Sequence, residues 1–309
     1  MKKNITIIGI FALLIVGMVS MSSCSAENSS SIILEKVKER RESQKEKELF
    51  EGVFFFNKEE QSDNQLKQTT LEVKEEVPDE FFDRSFELVF FGDSLTQGVG
   101  DRTEMGGFTS IVKEHYTSKS YIDNVTITNL GVRGNRTSHL LKRLQEPEVQ
   151  ESLKDADVIF ITVGGNDLMK VIRENFLDLN FDLFDREQAE YAKRLETVLS
   201  EVRMNNENST IYLLGLFNPF YEFFKEIPEM NQVVSNWNDT TISVLEKYEK
   251  TAFVPIQDLF IDTEESLLDD DQFHPNEIGY QLIGNEIVEK IKVYNEEDVL
   301  EENELMERE

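Results

Sequence analysis

Residues 85–91 read Ser-Phe-Glu-Leu-Val-Phe-Phe, and the chain turns at once into Gly92-Asp93-Ser94-Leu95-Thr96. A near-continuous apolar run with β-branched and aromatic members predicts a strand buried on both faces, the kind that sits inside a parallel sheet. The glycine ends that strand and leaves a hydroxyl, Ser94, at its carboxyl end. In open α/β sheets ligands bind at that edge, in a crevice bordered by helix N-termini. Taken alone, Gly-Asp-Ser also fits a solvated turn, because short motifs match by chance.

Four more strand-like runs follow, at 124–129, 157–163, 210–216 and 251–255, with helical patterns between them. Such alternation argues for a parallel sheet covered on both faces. Asp185-Arg186-Glu187-Gln188 has the pattern of a capping box, after which Ala192, Leu195, Leu199 and Val202 mark one helical face. Pro275 suits the first position of the last helix, with Ile283, Ile287 and Ile291 on one side. After Asn295 the chain becomes an acidic tail, expected to be frayed and solvated. No internal repeat is evident.

Three further stretches carry polar motifs. Asn129-Leu130-Gly131-Val132-Arg133-Gly134-Asn135 follows the second run and Gly164-Gly165-Asn166-Asp167 the third, while Asp271-Gln272-Phe273-His274-Pro275 stands near the C-terminus. A serine, a glycine, an asparagine and an Asp-x-x-His in this order resemble the four blocks of the GDSL esterases and lipases, also called SGNH hydrolases. The resemblance spans roughly residues 85–294. It implies a three-layer α/β/α sandwich with a doubly wound, flavodoxin-like parallel sheet of about five strands.

An alcohol is a poor nucleophile at neutral pH, so Ser94 needs a neighbouring base. The chain has three histidines. His115 and His139 fall in patterns of solvated helices. His274 stands just before a helix, whose N-terminus disfavours a resting positive charge on the imidazole. Asp271, three residues earlier, can accept the other ring N–H and fix the tautomer, which makes Ser94, His274 and Asp271 a candidate triad. Alternatively, Asp271 continues Asp269 and Asp270 as an acidic surface run. Attack on an ester carbonyl creates an oxyanion, for which the Ser94 backbone N–H is one candidate donor. The family resemblance implies two more, the backbone N–H of Gly134 and the side-chain amide of Asn166. Gly131 competes with Gly134, which the family spacing favours. One cysteine and three scattered histidines give no zinc spacing, and no phosphate loop occurs, so neither metal nor cofactor is implied.

The first residues read as a secretory signal: Lys2 and Lys3, an apolar run from Ile5 to Val19, then Met21-Ser22-Ser23-Cys24. Cys24 is the single cysteine and occupies the position of a bacterial lipoprotein's modified cysteine. The competing reading is an uncleaved anchor, since the run approaches the roughly 20 residues that span a bilayer. Either way the catalytic part lies outside the cytoplasm, lipid-anchored to a bacterial cell membrane in the first case. The expected division is a lipoprotein signal at 1–23, a charged tether at 24–84, the hydrolase domain at 85–295 and the tail at 296–309. The apolar stretch 49–56 interrupts the tether and is expected to pack on the domain, the alternative being that it lies in the membrane interface. Net charge is −29, with 61 acidic and 32 basic residues, a surface that repels nucleic acid and anionic headgroups.

The function expected is that of a monomeric serine esterase acting on a small-molecule acyl ester through an acyl-enzyme on Ser94. Lipid, lysophospholipid or thioester substrates form one group, and acetylated cell-wall or polysaccharide sugars another. A surface binding protein that kept the fold but lost turnover is the rival from a different class. Phe217, Phe220, Tyr221, Phe223 and Phe224, five aromatic residues in eight positions, favour an acyl chain, with Phe220 and Phe223 as pocket candidates. The alternative is that these rings cap the core.

Overall fold

A computed structural model describes residues 85–306, apart from 120, 121, 176, 179, 224, 226 and 227, and beyond Tyr294 describes backbone only. The expected signal, Cys24, the tether with its 49–56 stretch, and Phe224 lie outside the described residues. Among the described residues no helix is long and apolar enough to cross a membrane.

Five parallel strands form one sheet: β1 (Phe86–Gly92), β2 (Val125–Gly131), β3 (Val158–Thr162), β4 (Thr210–Leu214) and β5 (Thr251–Val254). Their order is β2-β1-β3-β4-β5, so the chain runs outward to one side of β1 and then crosses back to the other. The reversal between β1 and β3 makes the carboxyl ends of the central strands the binding edge. Register aligns that edge: Gly92 pairs with Gly131 on one side and with Thr162 on the other. The loops that follow all three strands therefore leave the sheet at the same height.

Eight α-helices are described, labelled α1 (Ser94–Gln97), α2 (Phe108–Thr117), α3 (Thr137–Arg143), α4 (Pro147–Lys154), α5 (Gly165–Glu174), α6 (Phe181–Asn205), α7 (Pro228–Leu245) and α8 (Glu277–Met306). Strand alternation sends Leu88, Phe90, Phe160, Tyr212 and Val254 into one core with Phe108 and Val112 of α2 and Ile283, Ile287 and Ile291 of α8. Phe90 stacks on Phe160 at 4.8 Å between centroids, and Phe160 on Tyr212 at 5.3 Å, so a row of rings crosses three strands. On the opposite face α6 contributes the buried residues Tyr191, Leu195, Val198, Leu199 and Val202. The two helical layers enclose every side chain of β1 from Leu88 onward, as the unbroken apolar run requires.

The local boundaries differ from the sequence reading in instructive ways. Helix α6 starts four residues before the Asp185 pattern, with Asn180 as its cap residue. Apolar Phe184 is buried in the first turn, and that burial outweighs the capping signal. Ala192 is only half-buried. Helix α8 starts at Glu277 rather than Pro275, because the Asn276 side chain accepts the N–H groups of Ile278 at 3.1 Å and Gly279 at 2.9 Å. It also runs on to Met306, so the backbone past Asn295 continues the helix instead of fraying there. Strand β4 stops at Leu214 because the Asn238 side chain takes over both backbone groups of Leu216, at 2.7 and 3.0 Å. His115 is not a solvated helix residue. It is partly buried, its Nε2 has no partner, and burial together with Lys119 and Lys292 pushes it down to about 4.

Candidate active site

Gly92 is the reason a serine can stand where it does. A Cβ there would overlap Thr162 Oγ1 and sit 2.6 Å from Thr96 Oγ1, so only glycine lets β1, β3 and α1 meet. The next residue, Asp93, caps α1: its Oδ1 accepts the Leu95 N–H at 3.0 Å and the Thr162 hydroxyl at 2.8 Å. Ser94 is then the first residue of the helix and is 5 % exposed. Burial pushes the Asp93 carboxyl up to about 6, with nearby Asp167 adding to the rise, against the lowering effect of its Thr162 and Leu95 hydrogen bonds.

The Asp-x-x-His segment forms a tight turn. Gln272 adopts a left-handed φ of 51°, Oδ1 of Asp271 accepts the N–H groups of Phe273 at 3.0 Å and His274 at 2.9 Å, and Asp269 N–H donates to the His274 carbonyl at 2.8 Å. That leaves Oδ2 of Asp271 to meet His274 Nδ1 at 2.5 Å, while His274 Nε2 lies 3.0 Å from Ser94 Oγ. The acidic run thus divides. Asp269 and Asp270 pair with Arg102 at 2.6 and 2.5 Å, whereas Asp271 faces the imidazole. Desolvation alone would raise the Asp271 carboxyl. Hydrogen bonds from the His274 N–H and imidazole and the Phe273 N–H outweigh it and hold the group below the usual carboxylate range. Ionised Asp271 keeps the proton on Nδ1, so Nε2 presents its lone pair to the serine. Arg133 approaches the same carboxylate at 3.8 Å from the rim.

Gly134 and Asn166, the residues expected to supply oxyanion donors, lie in the segments that follow β2 and β3. Gly134 has a φ of 81° and open space where a Cβ would be, so backbone conformation rather than crowding calls for glycine. Gly131, its competitor, donates its N–H to Asn129 Oδ1 at 2.9 Å and is thereby committed. Asn166 lies in the first turn of α5, and its Nδ2 donates to the Asn135 carbonyl at 3.0 Å, which binds the two loops together. His139 stays out of the site: its Nδ1 accepts the Arg136 N–H at 3.2 Å at the start of α3. Among the described residues no cluster of three or more His, Cys, Asp or Glu could hold a metal ion.

Beside Ser94 opens a cavity lined almost entirely by carbon. Phe217 and Phe220 border it from the β4–α7 loop, Phe184 from α6 and Ile172 from α5, with Ser94, Asn166 and His274 at its polar end. Phe220 is buried at 6 % exposure and tilts against Phe273, whose ring is edge-on to His274, so the apolar wall reaches the imidazole. Phe223 is a correction to the sequence reading. It is 51 % exposed and borders a separate groove with Tyr221 and Glu264. Asn218 Oδ1 accepts the Phe220 N–H at 3.0 Å, and that turn sends Phe220 inward while Tyr221 swings out to Asp262. The walls from α5, α6 and α7 were missed from sequence. The available signal was Phe181 and Phe184, which the misplaced helix start left in a loop.

A buried serine, an imidazole and a carboxylate in hydrogen-bonded line at the carboxyl edge of a doubly wound sheet define a hydrolase-type site. Residues 90–282 match the GDSL-like Lipase/Acylhydrolase family, and the chain belongs to it. It is 39 % identical over 203 residues to the uncharacterized protein YpmR of Bacillus subtilis (strain 168), covering 65 % of this chain and 79 % of that one. It is 28 % identical over 197 residues to the spore germination lipase LipC of Bacillus licheniformis, covering 63 % of this chain and 92 % of LipC. Among solved structures it is similar to the lipase Lip_vut3 from a goat rumen metagenome, at a TM-score of 0.57 and 25 % identity, covering 66 % of this chain and 96 % of the lipase.

Asp93 makes a pH-dependent prediction. Its folded-state value of about 6 lies above the ordinary 3.8, so its neutral form favours the fold at low pH. That contribution is lost as pH rises through about 6. Asp93→Asn keeps the acceptor oxygen without the charge. Its stability relative to wild type, followed by urea unfolding, should rise between pH 4 and pH 7 by up to about 3 kcal/mol. Parallel pH profiles would show that the carboxyl ionises in the fold as it does in water.

Proposed function

We infer that this protein is a serine acyl-ester hydrolase whose substrates carry an apolar acyl chain. The observation that carries the reading is the Ser94–His274–Asp271 line, at 3.0 and 2.5 Å, at the mouth of a carbon-lined cavity. Ser94 Oγ attacks the ester carbonyl carbon while His274 Nε2 takes its proton, and the carbonyl oxygen becomes an oxyanion facing the Ser94 and Gly134 N–H groups and the Asn166 amide. The tetrahedral species collapses, the C–O bond to the alcohol breaks, and His274 returns the proton to the leaving oxygen. Water, deprotonated by His274, then attacks the acyl-enzyme, releasing the acid and restoring Ser94.

The cavity favours lipid-type acyl esters over acetylated sugars, since an acetyl group needs little apolar wall and a sugar needs polar partners. LipC and Lip_vut3 are lipases by name, which points the same way. A tether lipidated on Cys24 would hold the enzyme at a bacterial membrane, outside the cytoplasm and beside such substrates.

Four measurements check this reading. A fluorophosphonate should label Ser94 in the purified protein, and Ser94→Ala and His274→Ala should each remove most ester turnover, with the double variant little worse than either single. An unlabelled Ser94 would sink the enzyme assignment in favour of a binding protein. On acyl-chain length, Phe220→Ala should cut the preference for medium over acetyl esters by about 10- to 200-fold, whereas Phe223→Ala should leave it unchanged. Equal effects of the two variants would refute the cavity as the acyl site. Metabolic labelling with a fatty-acid analogue should mark wild type but not Cys24→Ser, and equal label on both would dismiss the lipid anchor.

A further inference from the structure

We propose that Arg194, on α6 and remote from the catalytic serine in sequence, is a positioning residue that holds the two oxyanion loops in register. The proposal rests on the reading of Asn166 and Gly134 as oxyanion donors and deepens it. Arg194 Nε donates to Thr137 Oγ1 at 2.7 Å, that hydroxyl donates to Asp167 Oδ1 at 2.6 Å, and Arg194 Nη2 donates to the same Asp167 oxygen at 3.2 Å. The remaining carboxylate oxygen of Asp167 accepts the Thr137 backbone N–H at 3.0 Å. Asp167 follows Asn166 directly, and Thr137 stands three residues after Gly134. One partly buried cluster therefore fastens the residue next to one donor to the helix that begins just past the other.

The placement is efficient physically. Thr137 is the first residue of α3 and Asp167 lies in the first turn of α5, so one carboxylate accepts an N–H that lacks a partner within α3 and places its negative charge at the start of α5. Asp167 is 2 % exposed, and a carboxylate so deep needs a cation. Arg194 supplies it with a planar fork that reaches a hydroxyl and a carboxylate at once, which a lysine ammonium cannot reproduce. Glu187, two turns earlier on the same face of α6, accepts from Nη2 at 2.6 Å and restrains the guanidinium. Helix α6 also carries Phe184 into the acyl cavity, so the element that senses the chain is the element that braces the oxyanion loops. An oxyanion hole works by being in place before charge develops, and displacement by a fraction of an ångström weakens the transition state more than the ground state.

Three variants test this: Arg194→Lys, which keeps the charge but loses the fork; Thr137→Val, which removes the hydroxyl link without touching any charge; and Ser138→Ala as a neighbouring control. With a medium-chain ester, Arg194→Lys and Thr137→Val should lower kcat on the order of tenfold to a hundredfold while KM changes little. Affinity for a trifluoromethyl ketone, which places an oxyanion on Ser94, should fall in step with kcat/KM, while affinity for the product fatty acid stays constant. The control should match wild type. Loss of ester and product binding together with kcat, or unchanged kcat in folded Arg194→Lys and Thr137→Val, would overturn the proposal. Should wild type hydrolyse no ester, the function reading fails on its own. The positioning role is then decided by the Asn166 side-chain amide resonance in NMR. It must shift in Arg194→Lys and Thr137→Val for the proposal to stand, and an unmoved resonance ends it.

Discussion

The site depends on a close approach that admits no side chain. At Gly92 the end of β1 comes so near Thr162 of β3 and Thr96 of α1 that a methyl group would have no room. The same closeness lets the Thr162 hydroxyl bond Asp93 and Thr96 at 2.8 Å each, tying the strand end, the helix start and the neighbouring strand into one knot. Because α1 begins immediately, Ser94 has no freedom to choose its direction. Its position is a property of the sheet rather than of a loop.

Three aspartates around that knot show how environment divides one residue type into different tasks. Asp93 is buried with two hydrogen bonds to a single oxygen, and burial pushes it up. Asp271 is partly exposed, surrounded by donors and held down, so it remains an anion that can orient an imidazole. Asp167 is buried but faces Arg194, and it spends its charge on joining two loops. Burial in the first case, and the donors or cations within reach in the other two, decide which role the carboxylate takes, and not the sequence spacing alone.

The apolar cavity adds a second constraint on function. Its walls come from α5, α6 and α7, from the β4–α7 loop and from the turn that carries Phe273 and His274, so its shape follows from how these elements pack together. The loop is anchored where Asn238 holds Leu216, and Gln257 in turn accepts from the Asn238 amide at 3.0 Å. That anchoring fixes where Phe217 and Phe220 enter, with Phe217 stacked on Phe260 at 3.9 Å. An acyl chain would therefore meet a preformed wall, which keeps the ordering cost of binding low.

The sequence alone determined the strands, because an apolar run with β-branched residues buries itself in only a few ways, and it determined which polar residues end those strands. Ser94 and His274 were legible on that basis, Asp271 only as one of two alternatives, and Asn166 only through the family resemblance, since each sits in a short local motif at a strand or helix end. The direction of an individual ring was not legible. Phe220 and Phe223 stand in the same aromatic stretch, yet one is buried against the cavity and the other lies out on a groove. Only the turn at Asn218 and the packing of α7 separate them. The start of α6 was misread for the same reason, as a tertiary contact of Phe184 outweighed a local capping pattern. Arg194 was invisible because its partners, Thr137 and Asp167, lie 57 and 27 residues away in sequence. Local signals specify where elements begin and what they carry, but only the folded sheet, which brings distant loop ends to one height, decides which groups meet.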